Sequence, residues 1–174
     1  MKLKVIEIIG DIIDTEGDIE NINSGSDAWA SIAHLNLILA LEEEFGVEIP
    51  PEDFPNILHP SVVYNHRFVR IGVGNIIAAN TIISPGVLIG DFNVINYGCI
   101  VAHDTMISDF CSVNPCSNIS GNVTIGDESI VGASSVIHQN LRLDTRTVVG
   151  IGSVLVRNTE HDSTYFGNPA KKIG

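Results

Sequence analysis

Positive charge is scarce in this chain. Nine Lys and Arg stand against twenty-one Asp and Glu over 174 residues, a formal net charge of −12. With no basic patch to neutralise phosphates, a nucleic-acid partner is not expected. Long apolar runs are missing too. No stretch approaches the ~20 residues that cross a bilayer, so no membrane span is expected. Met1-Lys2-Leu3-Lys4 is basic, but Glu7 and Asp11 follow and no small-residue cleavage site appears. No signal peptide is therefore expected. Cysteine is limited to Cys99, Cys111 and Cys116, an odd number without metal-site spacing. Reduced thiols in a cytoplasmic protein fit that usage.

Apolar residues, in contrast, are plentiful. They make up 44% of the chain, and the mean hydropathy is +0.26, which supports a real core and argues against disorder. The acidity is placed unevenly. Residues 1–58 hold thirteen acidic and two basic side chains, whereas residues 59–174 hold eight and seven. That composition break marks two parts, set at residues 1–55 and 56–174.

The second part is a repeat. From Ile71, every sixth residue as far as Leu155 is Ile, Val or Leu, fifteen in succession. The residue after each is often small (Gly72, Ala78, Ser84, Gly90), and the residue two before it is usually small or β-branched (Thr81, Cys99, Thr105, Cys111). This is the hexapeptide pattern of a β-helix. Three hexapeptides make one triangular coil of 18 residues, so residues 71–160 give five full coils stacked roughly 4.8 Å apart. The aliphatic and the small residue point inward. Glycines and asparagines are expected at corners that need positive φ. Cys99 and Cys111 fall on the small inward position as core filler, and Cys116 falls near a corner.

His103, two residues after the inward Val101, lies at a corner and points out of the prism. It reads either as a solvated corner residue or, with Asp104 beside it, as a general base whose imidazolium is stabilised in place. One coil on, at +18, is Gly121. Its backbone N–H would lie one layer from His103 and face an acyl carbonyl. A metal site is not expected, because His103 and His138 are 35 apart, one short of the spacing that would stack them.

Residues 56–174 resemble the hexapeptide-repeat acyltransferases of the sialic acid O-acetyltransferase and amino-sugar N-acetyltransferase group. The matching stretches are "NILHPSVV", "IGDFNVINYGCIVAHDTMISDF", "ISGNVTIGDESIVGASSVI" and "FGNPAKKI". The resemblance implies a left-handed parallel coil, an exception to the usual right-handed crossover, and a homotrimer with acetyl-CoA bound between subunits. It implies that His103 deprotonates the acceptor amine or hydroxyl, that Asp104 assists, and that the Gly121 backbone holds the thioester carbonyl. Pantetheine would run past Ala133 and Ile151, which are 18 apart. The acceptor would be sugar-like, an amino sugar or nucleotide sugar. Where the group often has a second histidine, nine residues after the first, this chain has Ser112. No Gly-rich nucleotide-binding fingerprint precedes the repeat.

The first part reads as helical. Residues 3–13 suit a short amphipathic helix and 29–45 a longer one, stopped by Gly46. "WASIAHLNLILALEEEFGVEIPPEDF" resembles the second helix and following loop of an acyl carrier protein. By register, Ser31 matches the serine that carries 4′-phosphopantetheine in such carriers, although Ala30 stands where they have Asp. A phosphopantetheinyl transferase would then be a partner. Ser31 also reads as a plain helix-capping serine. The expected architecture is thus a mainly β left-handed helix of about five coils behind a small α-helical carrier-like domain. The expected activity is acetyl-CoA-dependent acyl transfer. Carrier-tethered transfer through Ser31 and a non-catalytic trimeric scaffold are the alternatives.

Overall fold

A computed structural model of the chain describes residues 54–173, with the isolated positions 43, 46 and 50 besides. The second of the chain's two units, Phe54–Gly174, carries the description that follows. Ser31 and the body of the carrier-like segment lie outside the described residues. Of the second expected helix only its end is described: Glu43 is helical, and Gly46 takes a φ of +60°.

Two-residue strands begin every six residues from Arg70–Ile71 to Val154–Leu155. They are dealt in rotation to three parallel sheets. Sheet A holds Ile76–Ile77, Val94–Ile95, Ser112–Val113, Ile130–Val131 and Val148–Val149. Sheet B holds Ile82–Ile83, Ile100–Val101, Asn118–Ile119, Val136–Ile137 and Val154–Leu155. Sheet C runs from Arg70–Ile71 to Arg142–Leu143. The pairs Ile100↔Asn118, Met106↔Thr124 and Ser112↔Ile130 all step by 18, the period in the sequence. From Ile82–Ile83 onward the first residue of each strand faces outward and the second is sealed in the prism. Val101, Ile119, Ile137 and Leu155 are each 0% exposed, so sheet B alone supplies four fully buried aliphatics to the core.

The solenoid has six coils rather than five. Ile57–Leu58 pairs with Ile76–Ile77 at a step of 19, and Val63 bridges Ile82 at the same step. Arg70 then pairs with Leu88 at 18. One extra residue between Val63 and Arg70 puts the first coil out of phase, and a search at strict six-residue steps misses it.

The corners also differ from expectation. Every sixth residue from Gly74 to Gly152 has a left-handed φ, fourteen in all, yet only seven are Gly or Asn. Phe92, Phe110, Glu128 and Arg146 adopt φ of 55–58° along one edge, at a cost of roughly 1–2 kcal/mol each. Ladder bonds hold them there: Phe92 N–H donates to Val73 O (2.9 Å) and Phe110 N–H to Asp91 O (3.0 Å). The Phe92 and Phe110 rings stack at 5.5 Å and 6°.

The inward small residues hydrogen-bond as well as fill. Thr105, Ser117 and Ser135 each donate a hydroxyl to the carbonyl fifteen residues later, at 3.1, 2.9 and 2.8 Å. Cys99 and Cys111 do the same with their thiols, to Asn114 O and Gly126 O, both at 3.2 Å. Burial pushes both thiols up to about 11. At pH 8 about a thousandth of each is then thiolate, the reactive form. We expect a disulfide reagent to modify Cys116 alone in the folded protein. Cys99 and Cys111 should react only as fast as the chain unfolds. Rapid labelling of a second thiol would mean that the core opens.

The C-terminal tail caps the last coil. Val149 pairs in parallel with Tyr165, and Gly167 turns antiparallel to Ala170. Tyr165 and Ala170 are buried in the end of the prism.

Candidate active site

His103 and Asp104 follow the sheet B strand Ile100–Val101, at the corner where the chain turns towards sheet C. Asp104 is one of the left-handed residues, with φ 58°. That conformation folds its carboxylate back, so that Oδ2 lies 2.9 Å from His103 Nδ1. The side chains are 68% and 67% exposed. A contact so open to water contributes at most about 1 kcal/mol, so the pair does not fix its own geometry.

Two glycines do. Gly121 lies one coil further on, joined to this corner by Asn122 N–H donating to His103 O at 2.8 Å. A Cβ on Gly121 would stand 2.6 Å from His103 Nε2 and 2.7 Å from Cε1. The imidazole therefore occupies the space that any other side chain would fill. One coil in the opposite direction is Gly86, where an added Cβ would collide with Asp104 Oδ1. The imidazole thus rests on bare backbone on one side and the carboxylate on bare backbone on the other. Gly86 lies 18 residues before Asp104, so the coil period alone places the two in one column.

The Gly121 N–H has no acceptor among the described residues, while Gly121 O accepts from Asn140 N–H at 3.1 Å. The same step of neighbouring corners holds Pro85 and Pro115, which have no N–H at all. Gly121 is buried under the ring, so a carbonyl that meets its N–H would lie against the imidazole.

Ala133 and Ile151 are not at this corner. They follow the sheet A strands Ile130–Val131 and Val148–Val149, at the edge between sheets A and B. The two are stacked, with Gly152 N–H donating to Ala133 O at 2.8 Å, and Ile151 is 66% exposed. His103, Asp104 and Gly121 therefore cluster on one edge of sheet B, and Ala133 and Ile151 on the other. His138 follows a later sheet B strand, in register with Ala102 rather than His103, and its Nδ1 lies 3.1 Å from Gln139 O. Ser112 faces outward on sheet A, away from the corner.

No family model matches the chain, and no curated protein matches it. Solved structures do. The chain is similar to perosamine N-acetyltransferase from Caulobacter crescentus, solved with CoA and GDP-perosamine, at 28% identity over 83% of this chain and 67% of that one, TM-score 0.70. It is similar to the acetyltransferase domain of PglB from Neisseria gonorrhoeae FA1090, solved with acetyl coenzyme A, at 25% identity over 82% of this chain and 65% of that one, TM-score 0.68. WeeI from Acinetobacter baumannii AYE, 24% identical with a TM-score of 0.53, shares the fold. The chain has the fold of the hexapeptide-repeat acyltransferases and spans about two thirds of the length of these proteins. Among the described residues, no helix is long and apolar enough to cross a membrane.

Proposed function

We propose that the chain transfers an acetyl group from acetyl-CoA to an amine or hydroxyl of a sugar-like acceptor, with His103 as general base. The observation that carries this is the imidazole held against Gly121, with Asp104 on its far nitrogen. A proton on Nδ1 is stabilised by Asp104, which leaves Nε2 as the acceptor lone pair. Nε2 takes the proton of the attacking N–H or O–H while the nucleophile bonds to the thioester carbon. The carbonyl oxygen becomes an oxyanion, to which the Gly121 N–H donates. Collapse breaks the C–S bond, and the proton on Nε2 passes to the departing CoA thiolate. Amino sugars, free or nucleotide-linked, are the first acceptors to try, because GDP-perosamine is bound in the Caulobacter enzyme.

The two edges of sheet B bear on assembly. With Ala133 and Ile151 on the other edge of sheet B from His103, a pantetheine groove past them would serve the His103 corner of another copy, as in a homotrimer. The outer face of sheet B supports this: Ile82, Ile100 and Val136 are exposed in one row, with Asn118 between the last two, a largely apolar surface that an oligomer would cover.

The direct test is CoA thiol release from acetyl-CoA, measured against a panel of amino sugars, nucleotide amino sugars and sialic acids. Turnover that depends on one of these acceptors is expected. Acetyl-CoA that neither turns over nor raises the melting temperature would instead favour a non-catalytic scaffold.

A further inference from the structure

We propose that the loop Tyr64–Arg70 is a subsite for the phosphate-bearing end of the acceptor, on the same edge of the prism as His103. The inference rests on the acetyl-transfer reading above and names the residues that would hold a nucleotide-linked acceptor.

The ladder sets the place. Gly86 N–H donates to Phe68 O at 2.8 Å, and Asp104 N–H donates to Pro85 O at 3.2 Å. Phe68, Pro85–Gly86 and His103–Asp104 thus occupy three successive layers of one corner. The first and third are about 10 Å apart at the spacing of stacked strands, a distance that a hexose and a diphosphate bridge. The imidazole leans to the Gly121 side, where the acyl carbonyl is proposed to sit. On the other side lie Pro85 and Gly86, both exposed and without a long side chain. The Asp104 carboxylate lies over Gly86, so an acceptor whose nucleophile meets His103 would run past it, along Pro85, to reach the loop.

Chemistry sets the ligand. Of the seven Lys and Arg between residues 54 and 173, Arg142, Arg146 and Lys172 face Asp144, Asp162 and Glu160. Arg67, Arg70, Arg157 and Lys171 are exposed with no acidic partner among the described residues, and of these four only Arg67 and Arg70 lie in the first coil, on the N-terminal side of His103. Two guanidinium forks three residues apart match the oxygens of a diphosphate. Beside them, Tyr64 is 42% and Phe68 58% exposed. An exposed ring next to a phosphate-binding arginine offers a platform on which a nucleobase stacks.

The loop is also built. It contains the one residue by which the first coil exceeds the others, and that residue is not slack. Asn65 O accepts from the N–H groups of Phe68 and Val69, at 2.9 and 3.0 Å. Asn65 Oδ1 accepts from Arg67 N–H at 3.0 Å. The turn is fixed by its own backbone, and the side chains of Tyr64, His66, Arg67 and Phe68 are left outside. Closing the coil requires none of them.

The test is calorimetric titration of the full chain with GDP, UDP and inorganic pyrophosphate, with CoA at saturation to occupy the donor site. Wild type should bind at least one of the nucleoside diphosphates. Arg67→Ala with Arg70→Ala should weaken that ligand and pyrophosphate alike, by about tenfold or more. Lysine at both positions should restore part of the loss, and Arg142→Ala should change nothing. Phe68→Ala should weaken the nucleotide but not pyrophosphate. In turnover, the double alanine variant should raise KM for a nucleotide amino sugar by the same factor, with kcat and the KM for acetyl-CoA within about twofold. Wild type that binds none of the three probes, or a double variant that binds them equally well, overturns the subsite. A Phe68→Ala variant with unchanged nucleotide affinity overturns the stacking role. Turnover of a phosphate-free amino sugar tests the acetyl-transfer reading separately, and its absence leaves the titration decisive for the subsite.

Discussion

Replacing His103 with Ala should lower acetyl transfer by about 10²–10⁴-fold, the range that a positioned general base contributes. The side chain is 68% exposed and contacts one partner, Asp104, so the fold should not notice. A stability change within about 0.5 kcal/mol is expected. Acetyl-CoA should protect the variant from thermal unfolding as it protects wild type, because the imidazole is not proposed to hold the donor. The loss should fall mainly on kcat and should shrink at high pH with an amine acceptor, since a neutral amine no longer needs its proton removed before attack. Asp104→Asn should cost less, because it leaves the ring where Gly121 holds it and removes only the partner of Nδ1. If His103→Ala turns over at the wild-type rate, the base lies elsewhere, and the corner pair is an ordinary solvated contact.

How much of this was legible follows from what a period can carry. The coil, its 18-residue step and the outward corner position of His103 all derive from which residues are buried, and burial writes itself into the sequence as an unbroken run of aliphatics. The first coil was hidden because one added residue between Val63 and Arg70 shifts the phase. Corner conformation was legible at Asn80 or Gly98 but not at Phe92 or Arg146, where stacking and ladder bonds override the residue's own preference. Gly121 was found by stepping forward one coil from His103. Gly86 was missed because its importance lies in an atom it lacks, and that becomes visible only when the Asp104 carboxylate is seen lying across it. The placing of Ala133 and Ile151 shows the limit of the same arithmetic. A spacing of 18 puts two residues in one column without saying which of the three edges the column follows, and theirs is not the edge of His103.

Gly121→Ala separates position from chemistry, and its expected effect is nearly as large. Gly121 is not among the corner residues with left-handed φ, so its backbone does not demand glycine. Alanine there should leave stability unchanged or raise it by about 0.4–1 kcal/mol through the unfolded chain. The new methyl, however, would stand 2.6 Å from His103 Nε2 and 2.7 Å from Cε1, closer than atoms can approach. The imidazole is the free end of a side chain with solvent on its other face, so the ring yields and the backbone does not. Displacing a catalytic group by about 1 Å is worth on the order of 10²-fold, and transfer should fall by that much. The variant keeps its backbone N–H, so the loss cannot be charged to a missing oxyanion donor. Adding His103→Ala to Gly121→Ala should then cost less than His103→Ala costs alone, the non-additivity expected of two residues that act through one ring. Nitrogen chemical shifts of His103 give a reading independent of turnover: the tautomer with its proton on Nδ1 should lose population when the ring leaves Asp104. Full activity in Gly121→Ala, with those shifts unmoved, would show that the bare backbone beside His103 is a packing accident and that the site does not depend on where the ring rests.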